Sequence, residues 1–459
     1  MNKREFLAAG GAVPLMLAGC GGSGSGSAPV RLVNASVGYP ALGFMDESTQ
    51  ATSTDVAYGS ASPFENVQAG TVEITLTTGG QAATSAQTRT ISKDNRYSLV
   101  AYGFANELKS VLITESQTAP DTGKFNINVL NTSVDIGAVD IYLSTDKATP
   151  YTTLIASSVG GVQQSVFAPT LAGSYYITVV GANSVARNIS DVRFQTPTAI
   201  AFTALQIVTI ILTPGASGTL ANAILLTQGT AGGATSATQS YTNLTARLRA
   251  VTAVPGLQAS VVGTNSALTT PSFNVLASSS TPLYSKYFVV NTGTPPVVTV
   301  NGQTVPVSMD VTDANGNVTG STAGTLAAGG DYTLLVYLDP VTNNPTAKLV
   351  EDNNTAPVTS QGVKFRLINL ASDNKSLQLS MAVNSISVAT NVPYGTASPY
   401  TEVPGVPQTT NSTANVLNGP VTIASITQVM TVQNIFTDIV VSVPATGSAL
   451  NFFLSSTGT

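Results

Sequence analysis

Apolar and polar residues alternate along this chain in short runs, and Gly, Pro or Asn interrupts them every few positions. Alternation with a period of two places one face of each run against a core and the other towards solvent, which predicts β-strands. One run, Val30-Arg31-Leu32-Val33-Asn34-Ala35-Ser36, recurs as Val363-Lys364-Phe365-Arg366-Leu367-Ile368-Asn369-Leu370-Ala371-Ser372. Looser copies stand at Phe125–Ser133 and Leu244–Val251. A second pattern is a pair of apolar runs around a Gly, Pro or Asn loop, as a hairpin requires. It appears as Tyr97–Gly103 with Ser110–Thr114, Val208–Gly215 with Ala223–Thr227, Tyr332–Tyr337 with Lys348–Glu351, and Asp438–Pro444 with Asn451–Leu454. No convincing helical periodicity interrupts them. The expected fold is all-β: tandem antiparallel sandwich domains.

Aligning Arg31, Asn128, Arg247 and Arg366 divides the chain into four units of about 110 residues, the size of a Greek-key sandwich. The boundaries fall at 29–120, 121–238, 239–357 (the most divergent) and 358–459, with polar connectors at 115–123, 229–240 and 352–362. The apolar stretch Ala199–Thr213 contains Gln206, is closed by Pro214 and is rich in Ile, Val and Thr. It is too short to span a membrane and reads as two buried strands.

The N-terminus follows a different rule. Lys3 and Arg4 precede the apolar segment Phe6–Ala18, as in a signal peptide over residues 1–19. The segment ends in Leu17-Ala18-Gly19-Cys20, which resembles the lipobox of bacterial lipoproteins. The resemblance implies cleavage before Cys20 and diacylation of its thiol, anchoring the chain in a lipid bilayer. Residues 20–28, rich in Gly and Ser, read as a flexible linker. If the source is Gram-negative, Gly21 rather than Asp after the cysteine favours the outer membrane.

Composition then removes whole classes of function. Among 459 residues only 9% are charged, 43% are hydrophobic, and there is one Cys and no His or Trp. Without histidine the chain lacks the commonest general base and metal ligand, and one cysteine forbids an internal disulfide. The net charge of −5 shifts to −6 when residues 1–19 are removed, and Lys and Arg form no cluster. A nucleic-acid partner needs a basic footprint and is not expected.

Units one and four share a further signature, Val56-Ala57-Tyr58-Gly59-Ser60-Ala61-Ser62-Pro63-Phe64 and Val392-Pro393-Tyr394-Gly395-Thr396-Ala397-Ser398-Pro399-Tyr400. Gly59 and Gly395 suit positive φ, and Pro63 and Pro399 suit the start of an edge strand. This is primarily a structural reading; ligand contact by Tyr58 and Tyr394 is the alternative. With the "R-hydrophobic-hydrophobic-N-A-S" opening strand and the Ala138-Val139-Asp140-Ile141-Tyr142 strand, the chain resembles the extracytoplasmic domain of unknown function 4397. The resemblance is good in units one and four, partial in two and poor in three. It implies Ig-like or transthyretin-like sandwiches at a bacterial surface, and no activity.

The remaining candidate chemistry reads as turns. Ser144-Thr145-Asp146-Lys147 and Ser372-Asp373-Asn374-Lys375 have Ser-x-x-Lys spacing but follow strands, whereas that chemistry needs a helix face. Asp310, Asp313, Asn315 and Asn317 suggest a calcium loop without the closing bidentate acid, and Asn315-Gly316 is a turn dipeptide. Glu351-Asp352 is expected as a solvated strand end. No catalytic residues, metal site or cofactor are assigned. The expected function is a non-enzymatic binding or adhesion module for an envelope glycan or protein. A structural spacer is the alternative, and a hydrolase of an envelope polymer a distant third. Radioactive palmitate should label the wild-type chain in cells and not Cys20→Ala; equal labelling would remove the anchor.

Overall fold

The computed structural model describes residues 26–104, 107–115, 118–182, 191–215, 218–228, 237–252, 257–262, 272–276, 283–285, 287–293, 295–312, 318–355, 357, 362–371, 376, 378–404, 411–429, 436–442 and 451–456. Residues 1–19 and Cys20 lie outside them.

Among the described residues eight sheets form, two from each quarter of the chain. In each pair, one sheet is built on an opening strand: Ser27–Ser36, Lys124–Asn131, Thr245–Thr252 or Val363–Asn369. It pairs parallel with the penultimate strand of its quarter, respectively Tyr97–Gly103, Ile207–Pro214, Asp331–Leu338 and Phe436–Ser442. That strand pairs antiparallel with a closing strand, respectively Lys109–Thr114, Ala221–Gln228, Pro345–Asp352 and Asn451–Ser456. The other sheet of each pair is antiparallel throughout, for example Ala41–Asp46 against Gly70–Thr78, or Leu379–Val383 against Asn411–Asn418. The expected all-β sandwich class is the observed one, and each unit adds a parallel pair at the centre of its first sheet; unit three has a second, Val307–Thr312 beside Pro345–Asp352.

The parallel pair has a physical reason. Parallel strands sit where both faces are covered, and their sequences lose clean alternation. Ile207–Pro214 is buried at every position. One face closes a unit's own core: Val30, Leu32, Phe44 and Leu99 in the first, Phe125, Ile127, Phe194 and Ile210 in the second. The other face stacks on a neighbouring unit. Val33, Ala35, Val100, Tyr102 and Ile113 of unit one pack with Leu130, Ile211, Ile224 and Leu226 of unit two. Val251, Leu335 and Tyr337 of unit three share a cluster with Ile368, Leu370 and Tyr394 of unit four. Units two and three meet through Tyr142, Val180 and Val192 against Val289.

Ala199–Thr213 divides as expected into strands Ile200–Phe202 and Ile207–Pro214. Among the described residues no helix is long and apolar enough to cross a membrane. The polar connectors differ from expectation at three points. Ala237–Tyr241, which begins inside 229–240, is a strand on the second unit's closing strand. Glu115 and Asp352, at the heads of the other two connectors, are fully buried. The opening strand begins at Ser27, inside the stretch read as linker, and Ala28 is already in the core.

The turns around Gly59 and Gly395 hold the stacked units together. Both glycines have positive φ, 76° and 73°. A Cβ on Gly59 would strike Ser240, on the strand that extends unit two's sheet, and one on Gly395 would strike the Tyr337 ring of unit three. Each glycine therefore meets two demands, a left-handed backbone and close approach to another unit. Gly395→Ala should cost about 3 kcal/mol, combining the left-handed penalty with the clash. Gly419→Ala, at positive φ beside open space, should cost about 1 kcal/mol. Urea midpoints compare them; equal losses would show that the inter-unit approach contributes nothing.

Candidate binding site

The site rests on a frame of buried charge on the outer face of the opening strands. Arg31 shares that face with Val33 and Ala35, two and four residues on. Its Nε donates to Ser98 Oγ at 2.9 Å, and its guanidinium lies 2.5 Å from Glu115. Ser98 Oγ donates to Glu115 Oε1 at 2.7 Å, and Arg96 Nε reaches Glu115 Oε2 at 2.8 Å. The Phe64 ring covers Arg31, 4.8 Å from its guanidinium carbon to the ring centroid. In unit four, Tyr400 covers Arg366 at 4.5 Å. The shared turn signature is thereby explained. Ser62 and Ser398 accept the Leu32 and Leu367 amides and clamp the turn to the opening strand, and the aromatic two residues later lies over the arginine.

The same geometry locates the third arginine. The opening-strand amide that bonds the turn serine belongs to Leu32, Val129, Ala250 and Leu367, with Ser62, Ser165, Ser285 and Ser398 accepting. The residues just before them are Arg31, Asn128, Arg249 and Arg366, so the counterpart of Arg31 is Arg249, two residues beyond Arg247. The register agrees, pairing these four with Ser98, Thr209, Thr333 and Asp438. A two-residue slip preserves the strand face, so alternation could not detect it.

Asp352 is a correction: it is not a solvated strand end, although Glu351 beside it is exposed. Arg366 of unit four approaches it at 2.6 Å and Arg249 of unit three at 3.9 Å. Thr333 and Tyr287 donate hydroxyls to it. One carboxylate thus serves cations from two units. Alongside it, Arg247 grips Asp331 through two bonds of 2.8 Å, and Thr219 of unit two and Asn354 also donate to Asp331. Burial alone would push the Asp331 carboxyl up, but Arg247 and these donors hold it below its ordinary value. In unit two the corresponding residues are neutral. Gln228 donates to Thr209 at 3.1 Å, and the amide of Asn128 is buried without a hydrogen-bond partner.

A cavity of about 480 Å³ lies where units one and two meet the segment leading into unit four. Unit one contributes Tyr102, Phe104, Glu107 and Lys109; unit two contributes Thr132, Val134, Asp135, Val162 and Pro214. Asn353, Thr355 and Pro357 complete the wall. Lys364 fixes that last segment, donating to Asn353 Oδ1 at 3.1 Å and to Thr355 O and Oγ1 at 2.7 Å. Val162 is at φ +59°, a left-handed conformation that β-branched residues avoid. Such strain amounts to about 1–3 kcal/mol and clusters at functional sites.

The structure disperses the other candidates. Ser144 Oγ donates to the Asp146 and Thr149 carbonyls at 2.7 Å and closes a turn. Lys147 Nζ reaches Pro197 O at 3.3 Å. Asp310 pairs with Lys348 at 3.0 Å. Asp313, Asn315, Asn317, Ser372 and Lys375 lie outside the described residues. Tyr58 and Tyr394 each dock on another unit. Sequence reasoning missed the cavity residues, which carry no motif. It also missed the Ser-x-aromatic signal at 62–64, 165–167, 285–287 and 398–400, which marks all four units once the intervening residue is ignored.

Residues 28–142 match the model of a family described as a domain of unknown function (DUF4397). The chain carries a DUF4397-like domain. The DUF4397 match takes in unit one and ends at Tyr142, within the second unit's strand Val139–Ser144. No curated protein matches the chain. Among solved structures it is similar to one described as "Alpha-glucan recognition by family 41 carbohydrate-binding modules from streptococcal virulence factors". The identity is 13% and the TM-score 0.17, covering 40% of this chain and 94% of that one. It is also similar to "The Bacillus anthracis TIE protein", at 9% identity and a TM-score of 0.13, covering 88% of this chain and 65% of that one. Superpositions this loose carry nothing about ligand.

The depressed Asp331 carboxyl sets a pH dependence. Its pairing stabilises the fold above the unfolded carboxylate value of about 3.9 and is lost as pH falls through the lower folded value. Acid titration of unfolding should therefore show a steep loss below about pH 4. Asp331→Asn should flatten that limb while lowering neutral-pH stability by about 3–5 kcal/mol, since Arg247 stays buried. An unchanged acid limb would assign the effect elsewhere.

Proposed function

We propose that this chain is an extracytoplasmic lipoprotein, held to the envelope by acylated Cys20, that acts as a non-enzymatic binding or adhesion module. The cavity between units one and two is its ligand site. The observation that carries the reading is the cavity's construction. Two units and a segment pinned by Lys364 converge on it, Val162 is strained in its wall, and the frame behind it is tied by buried ion pairs. Concave sites lined by aromatic and aliphatic residues with a few placed polar groups are the usual form of binding sites. Here Tyr102, Phe104 and Pro214 supply the first, and Glu107, Asp135 and Asn353 the second.

Binding rather than turnover follows from the polar groups available. Ser144 and Lys147 are committed to backbone carbonyls, and the chain has no histidine to act as a base at neutral pH. The positive residues before the apolar N-terminal segment and Gly21 after Cys20 support export and outer-membrane anchoring.

The mature chain should be retained saturably on isolated envelope material. Val134→Trp, which fills the cavity mouth from an exposed position, should weaken retention at least tenfold. The double variant Ser144→Ala/Lys147→Ala should bind as the wild type does. Retention insensitive to Val134→Trp would move the site elsewhere, and no retention at all would leave the spacer function instead.

A further inference from the structure

The stacked units contain a repeated socket for a tyrosine. Tyr58 of unit one reaches the hairpin formed by the penultimate and closing strands of unit two. There its hydroxyl lies 2.7 Å from Thr213 Oγ1 and interacts with the side chain of Asn222. Thr213 and Asn222 are a cross-strand pair. Tyr394 of unit four reaches the corresponding hairpin of unit three, where it meets Tyr337 edge-on with ring centroids 5.6 Å apart. Tyr337 pairs across the strands with Thr346. Thr213 and Tyr337 each stand four residues beyond the Thr, 209 or 333, that pairs with position 128 or 249.

Unit one has the same hairpin. Four residues beyond Ser98 is Tyr102, whose cross-strand partner is Lys109. Both line the cavity. The turn of unit two that faces this hairpin is built like the other two. The amide of Val162 donates to Asn131 O, as Gly59 does to Asn34 O and Gly395 to Asn369 O. In the sequence, however, the residue before Val162 is Gly161, where the other turns carry Tyr58 and Tyr394. The cavity is thus the third socket of the set, and this chain supplies no tyrosine at the position that fills the other two.

We propose that the cavity receives a tyrosine-glycine turn presented by a partner protein, which rests on the binding-module reading above. The occupant comes from outside the chain because Tyr58 and Tyr394 are both engaged in their own sockets. The socket walls offer the incoming ring Tyr102, Phe104 and Pro214, and the phenolic hydroxyl can donate to Glu107 or Asp135 at the rim. Aromatic rings gain from edge-on or offset contact beyond simple burial, as Tyr394 does on Tyr337. The left-handed Val162 opposite holds the wall in the conformation that accompanies a docked tyrosine in the other two turns.

The test uses the full mature chain and a fluorescent peptide, Tyr-Gly-Thr-Ala-Ser-Pro-Tyr, copied from 394–400. A second peptide carries Ala in place of the first Tyr. Anisotropy should show saturable binding of the first peptide and at least tenfold weaker binding of the second. Val134→Trp and Lys109→Glu, both at exposed positions, should each weaken the first peptide at least tenfold, with circular dichroism unchanged. No binding, equal binding of both peptides, or indifference to both substitutions overturns the proposal. If the peptide fails while envelope retention still depends on Val134, the binding function stands and only the tyrosine occupant falls.

Discussion

A guanidinium buried between two sheets needs a carboxylate, and most of the architecture follows from meeting that need at the same strand position. Arg31 and Arg366 lie on the face of the opening strand that stacks on a neighbouring unit, where water is excluded. Desolvating such a charge is expensive, and an arginine there persists only with near-complete hydrogen bonding. Its planar fork can be satisfied from one side while an aromatic ring covers its face. Ser98 and Glu115 provide the first for Arg31, and Phe64 the second. The turn that carries the ring must then clamp back onto the opening strand, which Ser62 does.

Once the outer face is neutralised, it can be buried, and the central strands become buried on both sides. That converts four sandwiches into a stacked assembly. Asp352 makes the coupling explicit: it ends the closing strand of unit three yet bonds Arg366 of unit four. Removing it would strand cations in two units at once. Asp331 couples unit three to Thr219 of unit two in the same manner. The units are therefore similar in sequence without being independent in energy.

Much of this could be read along the chain. The opening strands, the hairpins, the division of Ala199–Thr213 and the glycine turns follow from alternation and from the backbone demands of Gly59 and Gly395. The parallel pairing was hidden because alternation reports which face a residue occupies and not the direction of the strand beside it. The Arg247–Arg249 slip was hidden for the same reason. Glu115 and Asp352 looked like the start of polar connectors because charges at strand ends are usually solvated; only the stacked sheets place an arginine against them. The cavity arises between segments far apart in sequence, and no local pattern could bring Tyr102, Val162 and Asn353 to one place.

Unit two shows what happens when the charge is given up. Where unit one has Arg31, Ser98 and Glu115, unit two has Asn128, Thr209 and Gln228, so cation and anion are both replaced. Losing only one would leave an uncompensated buried charge, at about 3–5 kcal/mol. Losing both leaves at most an imperfectly satisfied amide, at about 1–3 kcal/mol, and Gln228 recovers part of that through Thr209. The same unit also lacks the tyrosine and glycine of the turn, carrying Gly161 and a left-handed Val162 instead. Its turn is thus freed from covering an arginine and from filling its neighbour's socket. The cavity opens where both structural duties have lapsed, and stability there can be exchanged for a surface that accepts something from outside the chain.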